Sequence, residues 1–151
     1  MLSLDVGRKR IGLAGCDALC ITVNPIPALV RRSFQQDLMH FDQVCQTRGV
    51  KGLVVGLPLD EAGQVTKQAI FCQRYGHRLA LALGLPLALV NEHSSSWAAA
   101  EQHGLQGDRS GRLDSVVAAM LLEQWMAEGP EPEPVKMATL LPSRTGIDEG
   151  S

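Results

Sequence analysis

Apolar and polar residues alternate from the first positions of the chain. Leu2, Leu4 and Val6 interleave with Ser3, Asp5 and Gly7, the period of two expected of a β-strand. Gly7 opens a turn through Arg8 and Lys9, and a second apolar run over residues 11–18 follows at hairpin distance. Residues 21–30 read as a third strand. Pro25 and Pro27 confine it to an edge, because proline lacks the amide proton that a central ladder needs. Three strands in quick succession predict an antiparallel meander.

The pattern then changes to alternating helix and strand. Ser33 suits an N-cap for a helix to about residue 47, with Phe34, Leu38, Phe41 and Cys45 on one face and Gly49 as its stop. Residues 52–56 are short, apolar and continuous, as in a buried parallel strand. A second helix is predicted over residues 64–83, with Val65, Ala69, Cys72, Gly76, Leu79 and Leu83 as its apolar stripe. Residues 85–90 read as another buried strand, followed by short helices over 96–103 and 114–128. After Gly129 comes PEPEP and a mixed tail, read as a linker and extension outside the fold. The expected organisation is one α/β domain over residues 1–128 and an appendage over 129–151. Its mixed five-stranded sheet runs from an antiparallel meander into parallel strands and is flanked by helices. In such sheets ligands collect at the carboxyl ends of the strands.

Composition narrows the function. The 151 residues are 45% hydrophobic and 20% charged, which suits one globular domain. Aromatics make up 4%, too few for a base-stacking platform. No apolar run approaches the roughly 18 residues of a membrane span. The basic residues follow the apolar opening, the reverse of a signal peptide, so a cytoplasmic location without membrane contact is expected. None of the four cysteines forms a Cys-x-x-Cys pair, and His40, His77, His93 and His103 lack ligand spacing, which argues against zinc. With 14 bases against 16 acids the net charge is −2, so a nucleic-acid partner would have to be met by local patches.

Three acids stand where burial alone would not choose them. Asp5 lies inside the first apolar strand, Glu92 follows the strand over residues 85–90, and Asp114 begins the last helix on the stripe of Ala118, Leu121 and Trp125. Singly, Asp114 reads as a helix-dipole residue and Glu92 as a solvated turn residue. If the three converge, they make an all-oxygen site suited to Mg²⁺ or Mn²⁺, and such ions promote phosphodiester hydrolysis. Spacing alone leaves both readings open.

Four segments carry a resemblance. Residues 4–14, LDVGRKRIGLA, follow Asp-x-Gly-x-x-x-Ile-Gly-x-Ala. Residues 53–59 read LVVGLPL, with Gly63 just beyond. Residues 89–102, LVNEHSSSWAAAEQ, are similar to an Asp-Glu-Arg-x-Ser/Thr-Thr strand-to-helix junction, with Asn91-Glu92-His93 in place of Asp-Glu-Arg and Ser96 in place of Thr. Residues 112–125, RLDSVVAAMLLEQW, follow Asp-Ser-x-Ala-Ala-x-x-Leu-Leu. In this order the segments resemble the YqgF-type pre-16S rRNA nuclease family, also described as Holliday-junction-resolvase-like. The resemblance implies a ribonuclease H-like fold and a metal-dependent nuclease trimming the 5′ end of immature small-subunit rRNA. It implies that Asp5, Glu92 and Asp114 are the catalytic acids and the ligands of Mg²⁺ or Mn²⁺.

Candidate substrate contacts lie around these acids. Arg8, Lys9 and Arg10 occupy the turn after the Asp5 strand, where a phosphate would approach. His93, Ser95 and Ser96 follow Glu92; the serines also suit caps for a helix beginning at Trp97. Arg109 and Arg112 flank the loop before Asp114, Arg112 at a basic position of the family. Lys67, Arg74 and Arg78 share the helix face opposite the apolar stripe and read as solvated. The expected partner is structured RNA: precursor rRNA or the pre-ribosomal small subunit. A DNA-junction resolvase and a non-catalytic RNA- or ribosome-binding module are the alternatives on the same scaffold. Oligomeric state is not readable from these patterns.

Overall fold

In a computed structural model describing residues 1–17, 22–60, 62–92 and 112–135, the N-terminal alternation folds as a meander. It consists of β1 (Leu2–Val6), β2 (Arg10–Cys16) and β3 (Val23–Val30). β1 pairs antiparallel with β2, and β2 with β3. The β2–β3 register shifts by one between Ile11 and Leu13, leaving an extra β3 residue beside Pro27. A bulge on an edge strand is a position that tolerates proline.

The rest of the sheet is parallel. Helix α1 (Phe34–Arg48) leads to β4 (Leu53–Pro58), and α2 (Lys67–Leu83) leads to β5 (Leu87–Glu92). The strand order is β3-β2-β1-β4-β5, with β4 parallel to both β1 and β5. Helix α3 (Arg112–Glu128) completes the described elements, its side chains described from Asp114 onward. The expected mixed five-stranded sheet is thus observed.

Local chemistry explains the helix ends. Ser33 and Gln36 form a reciprocal capping box at α1, and Gly49 closes the helix in the left-handed region at φ 64°. Thr66 caps α2: its Oγ1 accepts from Ala69 N at 3.0 Å and donates to Pro58 O at 2.8 Å. The helix therefore starts at Lys67 rather than residue 64. Val65, expected on its apolar stripe, instead bridges to Leu59 and is 64% exposed.

Strand parity divides the core between the two faces. Leu2, Leu4, Ile11, Leu13, Leu53 and Val55 pack on one side with Phe41 of α1 and with Cys72 and Leu79 of α2. Val54, Ala88 and Val90 pack on the other with Leu121 and Leu122 of α3. Ser3 and Ser115 tie α3 to the sheet: Ser3 Oγ donates to Ala118 O at 2.7 Å, and Ser115 Oγ to Ile26 O at 2.6 Å. Beyond α3 the chain turns back onto the sheet. Leu87 and Glu133 exchange backbone hydrogen bonds of 2.8 and 2.9 Å, and Trp125 Nε1 donates to Pro130 O at 2.6 Å. Residues 130–135, read from sequence as part of a detached linker, thus lie against the β5 edge. No helix among the described residues is long and apolar enough to cross a membrane.

Candidate active site

The sequence marks Asp5 as an acid within an apolar strand, and parity decides where it points. In β1, Leu4 and Val6 face α1 and α2, so Ser3 and Asp5 face α3. Asp5 stands opposite Gly12 of β2. A Cβ at Gly12 would collide with the Asp114 carbonyl and approach its Cβ to 2.8 Å, so the missing side chain lets the first turn of α3 rest on the sheet. Gly56 of β4 plays the same part for Glu92, whose carboxyl occupies the space a Cβ would fill. Glu92 is 3% exposed and is the last residue of β5, because pairing with Pro58 carries that strand two residues past the expected end at 90. All three acids therefore come to the α3 face, toward the carboxyl ends of β1, β4 and β5.

Their charges oppose one another. The Asp5 carboxyl is pushed well above the ordinary carboxylate range, first by burial, then by the charges of Glu92 and Asp114. Asp5 as a residue keeps some solvent exposure. Asp114 is also raised, by burial, against the lowering effect of Arg10. Arg10 Nε lies 3.2 Å from Asp114 Oδ2, both side chains about 30% exposed. That oxygen accepts no aligned hydrogen bond among the described residues, so the contact is one of charge rather than geometry.

Among the described residues the donor set fits a hard divalent cation: three carboxylates, no sulfur or imidazole, and a repulsion on Asp5 that a cation would relieve. Among the described residues no three His, Cys, Asp or Glu side chains already form a ligand cage, so an ion would have to draw the acids together.

The opposite layer holds the β1–β2 turn. Val6 O lies 3.2 Å from Gln68 Nε2 and 3.3 Å from Cys72 Sγ. Burial, with the charges of Asp5 and Glu92, pushes the Cys72 thiol up to about 12, so it is no nucleophile near neutral pH. Gly7 permits the tight turn, since a Cβ there would meet Arg10 O at 2.6 Å. Arg31 clamps that turn twice: its Nη1 donates to Gly7 O at 3.1 Å and its backbone N to Lys9 O at 2.8 Å.

The expected substrate contacts separate. Arg10 reaches the acidic face. Arg8 and Lys9 are exposed on the turn, and the Arg8 guanidinium lies 5.4 Å from the Phe71 ring of α2, on the other layer. Arg112 opens α3, while His93, Ser95, Ser96 and Arg109 lie outside the described residues. Sequence reasoning missed Gly12, Gly56 and Arg31. Glycine inside a strand pattern was the available signal for the first two; nothing local marked Arg31.

Comparison with known proteins follows the same lines. Residues 1–128 match the RuvX family, described as Holliday junction resolvase. A protein of Synechococcus sp. (strain CC9902), named "Putative pre-16S rRNA nuclease", is 64% identical over 151 residues, 100% of this chain and 92% of that one. A protein of the same name from Parasynechococcus marenigrum (strain WH8102) is 69% identical over 136 residues, 90% of this chain and 87% of that one. Among solved structures, T. thermophilus RuvC in complex with a Holliday junction substrate superposes with a TM-score of 0.51 at 12% identity. That match covers 89% of this chain and 99% of RuvC, and supports the ribonuclease H-like fold. With the family model matched over residues 1–128 and these relatives alike over nearly the whole chain, the chain belongs to the RuvX family.

Proposed function

We propose that this chain is a divalent-metal-dependent nuclease that hydrolyses phosphodiester bonds at the 5′ end of precursor 16S rRNA. The observation that carries the reading is that Asp5, Glu92 and Asp114 lie on one face, where burial and then the charges of the other two raise the Asp5 carboxyl. The names of the relatives at 64% and 69% identity supply the substrate. Asp5, Glu92 and Asp114 would hold Mg²⁺ or Mn²⁺. Such an ion, when bound, supplies an activated water and neutralises charge on the leaving oxygen. The chain's own residues prepare that site. Because the Asp5 carboxyl keeps its proton to higher pH than an ordinary carboxylate, a proton and a cation compete for it. Arg10 balances Asp114, and Gly12 keeps α3 close enough for Asp114 to belong to the set. Arg8, Lys9, Arg10 and Arg112, with His93, Ser95, Ser96 and Arg109, would contact the substrate. A cytoplasmic location goes with that substrate.

The test is cleavage of a precursor 16S rRNA 5′ fragment with Mg²⁺, with Mn²⁺ and with chelator, for the natural chain and for Asp5→Asn. Cation-dependent cleavage lost in the variant is expected; equal cleavage throughout would refute the assignment. The family description favours one second reading, a resolvase acting on branched DNA. A four-way DNA junction assayed beside the RNA fragment separates the two.

A further inference from the structure

The layer opposite the acids carries a basic surface of which the catalytic reading uses Arg8 alone. Lys67, Phe71, Arg74 and Arg78 fall at i, i+4, i+7 and i+11 of α2, one stripe of the helix. Lys67, Arg74 and Arg78 are exposed, and α2 contains no acid. The stripe is joined to the β1–β2 turn by stacked cations and rings. Arg8 lies over Phe71 at 5.4 Å, and Arg31 lies between Phe71 and Tyr75 at 5.0 and 4.8 Å. Tyr75 meets Phe34 edge-on at 5.9 Å, and Arg78 covers Phe34 at 3.8 Å. Of the acids near this surface, Asp37 is 1% exposed and accepts from Arg32 N and Tyr75 OH, and Asp60, exposed on the loop before α2, accepts from Ala62 N and Gln64 N.

This gathering is out of proportion to the chain's charge. Arg8, Arg31, Lys67, Arg74 and Arg78 are five of 14 bases in a chain with 16 acids. Ring stacking also fixes guanidinium planes that would otherwise lose side-chain entropy on binding. The stripe runs about 16 Å along α2, from Lys67 to Arg78. It begins beside the turn three residues after Asp5, at the end of the sheet where the acids sit. A polyanion leaving the acidic face over that turn would therefore meet cations in succession.

We infer that this arginine–aromatic surface of α2 is a second substrate-binding site, a track for the phosphodiester backbone of the nucleic acid whose scissile bond lies at the acids. The inference rests on the nuclease reading and extends it to where the flanking strand runs. Phosphate contacts of this kind position a substrate without reading sequence, and each contributes to the salt dependence of binding.

The test measures binding without cleavage, in chelator, as affinity against salt for the precursor 16S rRNA fragment and separately for a four-way DNA junction. The variant is Lys67→Gln with Arg74→Gln, two exposed side chains outside the ring stacks. The control is Lys51→Gln, an exposed base at the amino end of β4. For the nucleic acid that uses the track, the double variant is expected to bind about tenfold more weakly and to lose about one to two from the salt slope. The control should be unchanged, and Arg74→Lys should bind like the natural chain. The arm that responds identifies RNA or DNA as the source of the backbone. Unchanged slopes in both arms, with circular dichroism confirming folded variants, would overturn the inference. Cleavage lost in Asp5→Asn with no track effect would sink this inference alone; a track effect without cation-dependent cleavage would sink the nuclease reading alone.

Discussion

Two carboxylates on opposite faces of one sheet meet different company. Asp37, on the α1–α2 side, accepts Arg32 N at 3.0 Å and Tyr75 OH at 3.3 Å. Asp5, on the α3 side, faces the carboxylates of Glu92 and Asp114. A buried charge given donors is a structural element, and Asp37 fixes the start of α1 to α2. A buried charge set among like charges costs stability and persists only where something compensates it. On the proposed function, catalysis would belong to the α3 face, while the other face carries the scaffold and the arginine–aromatic surface.

The largest expected effect tests whether the acidic face depends on close approach. Gly12→Val would drive a side chain into the Asp114 backbone. Overpacking of this kind costs about 3 kcal/mol, enough to lower Tm by roughly 6–12 °C in a domain this size. Thermal unfolding gives the value, and activity should disappear with it.

Asp5→Asn sharpens the contrast by pulling stability and activity apart. Cleavage should fall by at least about 100-fold, beyond the 10–100-fold typical of residues that only orient metal ligands. Metal-free stability should move the other way. The folded carboxyl of Asp5 is raised, so relative to the unfolded chain its stabilising effect is complete when it is protonated and is lost as pH rises through the folded value. Asparagine removes that loss. The variant should therefore melt a few degrees higher than the natural chain near pH 8, with the gain shrinking toward acid pH. A variant that melts lower near pH 8 would show that Asp5 is satisfied like Asp37.

Arg31→Met tests the scaffold side. It removes the bond to Gly7 O and two ring contacts, a loss of about 2 kcal/mol in denaturant unfolding. The smallest effect should come from Arg10→Gln. Its contact with Asp114 is partly solvated, so stability should change by less than about 1 kcal/mol. Mn²⁺ should bind a few-fold more tightly by calorimetry, because a competing cation has gone.

Much of this was legible in the chain. Ser33 and Gly49 bracket α1 by local chemistry, Pro25 and Pro27 confine β3 to an edge, and alternation marks Asp5 as an anomaly. Features set by distant partners were not. The burial of Asp37 has no local signal, since its partner Tyr75 lies 38 residues away. Glu92 looked like a turn residue because Asn and Glu are poor strand formers; pairing with β4 overrides that preference. Arg78 is exposed, as its helix face implies, but its place over Phe34 of α1 had no local signal. The return of residues 130–135 to β5 has no local signal within PEPEP.

The central claim is that three mutually repelling carboxylates share a hard cation. A crystal of the full chain soaked in Mn²⁺ tests it most directly. The expected result is anomalous density about 2.0–2.6 Å from carboxylate oxygens of Asp5, Glu92 and Asp114. Fully soaked crystals with Mn²⁺ bound elsewhere, or nowhere near these three side chains, would contradict it.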